Sequence, residues 1–279
     1  MILKLVPLGA LPRTGSTLLM HILDQNPEFE IGPVSELSHL LSYIREFAEK
    51  VTPTSNLPKD VLHKCLIDFC REGSNSWINN LSESKNIFVD KHRYWLYQYK
   101  FIFKLFPDLK MIVPIRDLCG VVNSFEKIAH NDITVNTNQL YESLNENFYH
   151  KRIQSHLNSW YFKECLVSIK ELLEIPNKYQ QNIMFVRYED LTTNPQECMK
   201  SIYDFLDLPS FNHDFDNVHQ DSAYVKNYYL PYGDHKIKNE VHSPLDNEYL
   251  TSEIKLLIKS EYMWYYENFY PDLCDLSSD

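Results

Sequence analysis

The chain has 279 residues, of which 44% are hydrophobic and 23% charged, and a formal net charge of -11. It is long enough to bury a core without disulfide or metal staples, and its composition is that of a soluble globular protein. The acidic balance excludes a general nucleic-acid binder, which needs a basic surface to release counterions, but leaves room for a small anionic ligand held by a few converging cations.

Taken in order, Ile2 to Leu8 is an apolar run that predicts a buried strand. The loop Gly9-Ala10-Leu11-Pro12-Arg13-Thr14-Gly15-Ser16-Thr17 follows, and Thr17 to Gln25 predicts a helix with Leu18, Leu19, Ile22 and Leu23 on one face. Strand, tight loop and helix N-terminus is the arrangement that converges backbone N–H groups on a phosphate-like anion. Gly15 allows close approach, Ser16 and Thr17 add hydroxyls, and Arg13 can fork onto two oxygens. The loop is not a Walker A motif, because no lysine stands between Gly15 and Ser16.

Asn26-Pro27 breaks the pattern and Gly32-Pro33 turns the chain. A helix is predicted over Ser35 to Val51, with Ser35 as N-cap, Glu36 in the first turn, and Leu37, Leu40, Leu41, Ile44, Phe47 and Ala48 on the inner face. Another covers Asp60 to Arg71, with Val61, Leu62, Cys65, Leu66 and Phe69 inside and Gly73 as its stop. Asn86 to Asp90 predicts a strand ending in Lys91-His92-Arg93. Tyr94 to Phe106 is an aromatic-rich helix. Leu109 to Ile115 is a strand interrupted by Pro114, with Arg116-Asp117 at its end and a helix from Leu118 to Lys127. After a polar loop over Thr134 to Asn138, Gln139 to Ile175 reads as one helix or two. Asn182 to Tyr188 is a further strand, and Asn194-Pro195-Gln196-Glu197 starts a capped helix that runs to Leu206. Residues 207–246 lack periodicity, and a last helix spans roughly Asn247 to Tyr270.

Alternation of strands and helices predicts an α/β fold: one P-loop-type domain over residues 1–279, with a mostly parallel central sheet flanked by helices on both faces. Ligands in such folds sit beyond the carboxyl ends of the strands, and four of those ends carry cations, an imidazole or an aromatic ring. The six cysteines contain no CxxC pair and read as buried free thiols. No apolar run of membrane-spanning length occurs, so no membrane span is expected. A first strand at Ile2 is read as leaving no room for a signal peptide, which makes a reducing cytoplasmic location the expectation.

Three segments resemble the sulfotransferase family, which transfers a sulfuryl group from 3′-phosphoadenosine 5′-phosphosulfate (PAPS) and leaves adenosine 3′,5′-bisphosphate. Leu11 to Thr17 is similar to the family's 5′-phosphosulfate loop. Arg116-Asp117 through Asn123-Ser124-Phe125 is similar to its 3′-phosphate motif, a strand-end arginine with a serine eight positions on (124 − 116). Val186-Arg187-Tyr188-Glu189-Asp190-Leu191 with Asn194-Pro195 is similar to its YEDL segment. The resemblance implies that Arg13, Thr14, Gly15, Ser16 and Thr17 hold the 5′-phosphosulfate, Arg116 and Ser124 the 3′-phosphate, and that Tyr188 contacts the adenine region. It implies a late loop as well, for which Lys236 and Lys238 are the candidates, and no metal.

Attack by an acceptor hydroxyl needs a base. Glu36, 23 positions beyond Arg13, stands where tyrosylprotein-type and some bacterial carbohydrate sulfotransferases carry a catalytic glutamate; His92 after Lys91 resembles the histidine of the cytosolic small-molecule branch. Glu36 is preferred, because Pro12 to Leu41 is most similar to the tyrosylprotein branch. Arg13 and Lys91 are the cations expected against the bridging oxygen. The acceptor is expected to present a hydroxyl on a carbohydrate, a small molecule or a peptide tyrosine; Tyr224, Tyr228, Tyr229 and Tyr232 either line an acceptor cleft or pack their own loop. Two other readings stand beside this one: a P-loop kinase acting on a small molecule, with Asp90 as the one obvious acid for Mg²⁺, and a non-catalytic nucleotide-binding module of the same fold.

Overall fold

The structure is a computed structural model that describes residues 4–31, 34–81, 86–131, 146–219, 240–241 and 249–274. Strands β1 (Lys4–Leu8), β2 (Phe29–Ile31), β3 (Ile87–Lys91), β4 (Met111–Ile115) and β5 (Ile183–Arg187) form one parallel sheet in the order β2-β3-β1-β4-β5. The apolar runs are continuous because both faces of the sheet are covered. On one face Val6, Leu8, Ile87, Val89, Ile112 and Val186 pack against α1 (Ser16–Asp24) and α11 (Pro195–Leu206). On the other, Phe88, Met111, Val113 and Ile115 pack against α4 (Tyr94–Tyr97), α5 (Tyr99–Leu105), α6 (Leu118–Asn131), α8 (Trp160–Leu173), α12 (Ser252–Glu261) and α13 (Met263–Phe269). The remaining helices are α2 (Leu37–Val51), α3 (Lys59–Leu81), α7 (Glu146–Asn158), α9 (Asn177–Gln180) and α10 (Tyr188–Thr193).

Several elements differ from the sequence expectation for identifiable reasons. Pro114 does not interrupt β4. Ile112 turns its polar edge toward β1, where its carbonyl accepts from Gly9, and Pro114 shares that parity. The N–H it lacks would point past the end of β1, where no ladder partner exists. Gly73 does not stop α3: it sits at an open position, where an added methyl would meet nothing within 4 Å, and the helix continues to Leu81. The 94–106 helix breaks at Gln98, and the C-terminal one at Tyr262. Leu40, Phe47, Val61, Cys65 and Phe69 are exposed, so the inner faces of α2 and α3 are narrower than periodicity suggested; Leu37, Leu41, Cys70 and Ile78 form them. Ser35 is not the N-cap of α2: Glu36 holds that place in a left-handed conformation. All six cysteines are free thiols, and no helix among the described residues is long and apolar enough to cross a membrane.

Candidate active site

Because β1 is the central strand, its loop lies between the ends of β3 and β4. That loop takes two left-handed residues, Arg13 (φ 69°) and Gly15 (φ 81°). Only glycine fits the second: a Cβ there would lie 2.3 Å from Cδ2 of Tyr188. Helix α1 then starts at Ser16, its N-cap Gly15 having no side chain to cap it, so among the described residues its first N–H groups face the loop as anion donors would. Thr14 is buried and donates its hydroxyl to the Leu11 carbonyl (2.8 Å), which braces the loop.

Strand ends bring the cations in. Lys91 follows the inward parity of Val89 and reaches α1, donating to Thr17 Oγ1 at 2.9 Å. Burial, then Arg13 and Arg93, push its ammonium down to about 7. Arg13 Nε donates to Ser124 Oγ (2.9 Å), and Arg116 Nη1 donates to the Arg13 carbonyl (3.2 Å). The Arg116 guanidinium lies 4.3 Å from the centre of the Tyr188 ring. Gly120 leaves space for it, since a Cβ there would stand 3.0 Å from Arg116 Nε. That Nε is buried with no hydrogen-bond partner among the described residues. Arg13, Gly15, Arg116, Ser124 and Tyr188, predicted from three separate segments, therefore form one contiguous cluster. A guanidinium with a buried N–H unpaired among the described residues, next to a glycine loop and a helix N-terminus, has the donor chemistry to hold an anion.

The two base candidates separate. Glu36 adopts φ 57°, keeps its carboxylate exposed, and places Oε2 2.5 Å from His39 Nδ1. His92 is enclosed: its Nδ1 lies 2.8 Å from Ser38 Oγ and 3.4 Å from the Tyr94 backbone nitrogen. A backbone N–H can only donate, so Nδ1 is the acceptor and the neutral ring carries its proton on Nε2. Burial, reinforced by His39, lowers the His92 pKa to about 4. In that tautomer His92 anchors α2 and has no free lone pair for an acceptor.

Asp90, the one acid considered for Mg²⁺, is fully buried with both oxygens engaged: it accepts from Ser35 N (3.1 Å), Ser35 Oγ (2.5 Å) and Trp95 Nε1 (3.1 Å). Burial raises its pKa to about 6. It is a brace for the start of α2 and removes the acid on which the kinase reading leaned. Trp77 Nε1 closes the same brace by donating to the Ser35 carbonyl (2.8 Å). Lys236, Lys238 and the Tyr224–Tyr232 cluster lie outside the described residues. Sequence reasoning named Ser35 only as a helix cap and missed Trp77, Gly120 and the tyrosines of α13; of the missed residues, only the Arg116-to-Gly120 spacing of one helical turn carried a readable signal.

A parallel sheet whose central strand carries an arginine–glycine loop, and whose neighbouring strands bring a lysine and a second arginine to the same edge, defines an α/β protein with a cationic sheet edge. The chain belongs to the Sulfotransferase family, whose sequence model matches residues 6–213. It is 23% identical over 218 residues to a protein-tyrosine sulfotransferase of Drosophila melanogaster, covering 74% of this chain and 38% of that protein. It is 24% identical over 216 residues to protein-tyrosine sulfotransferase A of Caenorhabditis elegans, covering 72% and 49%. The chain thus spans less than two thirds of these relatives. In fold it is similar to a sulfotransferase domain from the curacin biosynthetic pathway (TM-score 0.52, 17% identity, 94% of this chain and 98% of that one). It is similar as well to one from the Synechococcus PCC 7002 olefin synthase (TM-score 0.54, 14% identity, 94% of each).

Proposed function

We propose that this protein is a PAPS-dependent sulfotransferase that sulfates an acceptor hydroxyl, with Glu36 as general base. The observation that carries the reading is the Arg13–Ser124–Arg116–Tyr188 cluster beside the Gly15 loop, with Arg116 Nε buried and unpaired among the described residues. In this reading Gly15, Ser16, Thr17 and the start of α1 hold the 5′ end of the nucleotide, and Arg116 and Ser124 its 3′-phosphate. Tyr188 offers a ring face to the adenine region. PAPS supplies the sulfuryl group.

The chain's own part is electrostatic and geometric. Arg13 and Lys91 face the charge that gathers on the leaving phosphate. Lys91, with a pKa near 7, is readily recharged by a neighbouring anion. In this reading Glu36, with an exposed carboxylate oriented by His39, whose ring packs 4.4 Å from that of His92 next to Lys91, takes a proton from the incoming hydroxyl. A ring path runs from there through Tyr94, 4.0 Å from His39, to Tyr97 and the exposed Trp160. These rings favour an acceptor with an apolar or aromatic body, which suits a peptide tyrosine or small molecule better than a carbohydrate.

Thermal shift with adenosine 3′,5′-bisphosphate, set beside ATP with Mg²⁺, tests the reading. A ligand that binds only the folded state raises stability by mass action. A rise with the bisphosphate, lost in Arg116→Ala, is expected; a rise with ATP–Mg²⁺ alone sinks the proposal in favour of a kinase. Turnover of PAPS with a phenolic acceptor then separates an enzyme from a binding module.

A further inference from the structure

The turn that carries Arg116 is tied down from a part of the chain outside the family-matched residues, which end at 213. Three tyrosines of α13 and its C-terminal boundary, Tyr265, Tyr266 and Tyr270, are at most 1% exposed. The Tyr265 hydroxyl serves both backbone groups of Arg116, donating to its carbonyl (3.0 Å) and accepting from its N–H (3.3 Å). The Tyr266 hydroxyl donates to Asp117 Oδ1 (2.8 Å) and accepts from the Cys119 N–H (3.3 Å). Asp117 in turn caps the first turn of α6, accepting from the N–H groups of Cys119 (3.1 Å) and Gly120 (3.0 Å). Tyr270 acts through Glu189: its hydroxyl donates to Oε2 (2.7 Å), and Oε1 accepts from the Asp117 N–H (3.2 Å). Glu189 follows Tyr188, the ring under the Arg116 guanidinium.

Purely structural tyrosines could bury their rings and send their hydroxyls anywhere. Here all three hydroxyls converge, directly or through one carboxylate, on two consecutive residues, Arg116 and Asp117. Burial raises all three phenols far above their ordinary value, so each is a fixed donor at any working pH.

We infer that Tyr265, Tyr266 and Tyr270 are positioning residues of the nucleotide site: they hold the Arg116–Asp117 turn so that the guanidinium lies over Tyr188 with an N–H free for the 3′-phosphate. This rests on the assignment of Arg116 to that phosphate.

The test uses the full chain and titration calorimetry with adenosine 3′,5′-bisphosphate, with the melting temperature of the ligand-free protein recorded for every variant. Tyr265→Phe removes the hydroxyl that both backbone groups of Arg116 bond, and about a tenfold loss of affinity is expected; Tyr266→Phe, the milder change, is expected to give a smaller loss in the same direction. The control is Tyr203→Phe, which removes an equally buried hydroxyl bonded to Asn26 (3.0 Å) and His213 (3.1 Å) on the other face of the sheet. It should lower the melting temperature comparably and leave affinity unchanged. In an Arg116→Ala background, Tyr265→Phe should cost no further affinity. Unchanged affinity in both α13 variants, or an equal loss with and without Arg116, overturns the inference. If Arg116→Ala binds the bisphosphate as well as the parent does, the phosphate assignment itself is wrong and the inference goes with it.

Discussion

Lys91 offers the sharpest quantitative test, because the structure makes it both useful and destabilising. Its ammonium sits against Thr17 with two guanidinium groups near, and its pKa falls from 10.5 to about 7. At about 1.4 kcal/mol per pH unit, such a displacement amounts to roughly 5 kcal/mol for a fully enclosed ammonium. Lys91 keeps part of its surface in water, and screening reduces the expected penalty to about 2 kcal/mol. Between the two pKa values the unfolded chain holds a proton that the folded one has released, so stability from this group rises with pH from about 7 to about 10.5. Below about 7 the penalty is felt in full. Lys91→Met should therefore melt about 4 °C above the parent near neutral pH or below, an advantage that shrinks toward zero as pH rises through that window. Adenosine 3′,5′-bisphosphate should reverse the order, stabilising the lysine protein more, with proton uptake visible by calorimetry in buffers of different ionisation heat. A Lys91→Met protein that melts at or below the parent near pH 6 refutes the reasoning. So does an advantage that stays constant up to about pH 9.5.

Three further outcomes follow from the site and its scaffold. Glu36→Gln should lower kcat by about a hundredfold or more with bisphosphate affinity intact, whereas His92→Asn, which keeps an acceptor near the place of Nδ1, should retain most turnover; equal losses in the two would restore His92 as the base. Gly15→Ala should lose nucleotide affinity and about 2 kcal/mol of stability, since the new methyl meets Tyr188 at 2.3 Å and the residue has φ 81°; a thermal melt and a titration check both. Gly73→Ala, on an exposed turn of α3 with open space around it, should gain about 1 kcal/mol and leave turnover unchanged, which a denaturant titration would register.

The sheet and the anion loop were legible because their signals are local. Each long strand is an apolar run closed by a charge or a turn, and the Arg13–Gly15 loop follows the first one directly. What escaped was short or non-local. Phe29–Ile31 is a three-residue strand whose pairing with β3 no periodicity announces. Tyr188–Thr193 turns helical although its pattern suggests only the end of a strand. Gly73 looked like a helix stop, but packing of Cys70 and Ile78 on either side of it outweighs its propensity. Asp90 read as a strand-end acid for Mg²⁺, yet the alternation that sends Lys91 to α1 sends Asp90 to the opposite face, beneath Trp95. Tyr265 and Tyr266 fall within the predicted last helix, but where their hydroxyls go depends on contacts 149 residues away in sequence, which no local pattern announces.

Backbone strain marks the two residues proposed at the reacting centre. Among the described residues, left-handed non-glycine conformations occur at Arg13, Glu36 and Asp207. Asp207 ends helix α11, where such a conformation is ordinary. Arg13 and Glu36 have no such excuse, and strain of about 1–3 kcal/mol persists only where the surroundings impose it. For Glu36 the surroundings are the bonds on Ser35: to both Asp90 oxygens, from Trp77 Nε1, and from the Leu37 N–H to its hydroxyl (3.1 Å). Asp90→Asn keeps the volume but turns an amide N–H₂ toward a donor, Trp95 Nε1 or the backbone of Ser35, and should release that grip. Turnover is then expected to fall about tenfold while bisphosphate affinity holds, because the loop, Lys91 and Arg116 are fastened elsewhere. If Asp90 acts only by placing Glu36, the same change in a Glu36→Gln background should lower kcat no further. Losses that multiply across the pair would show that Asp90 supports the fold at large, and that the strain at Glu36 is incidental to the chemistry.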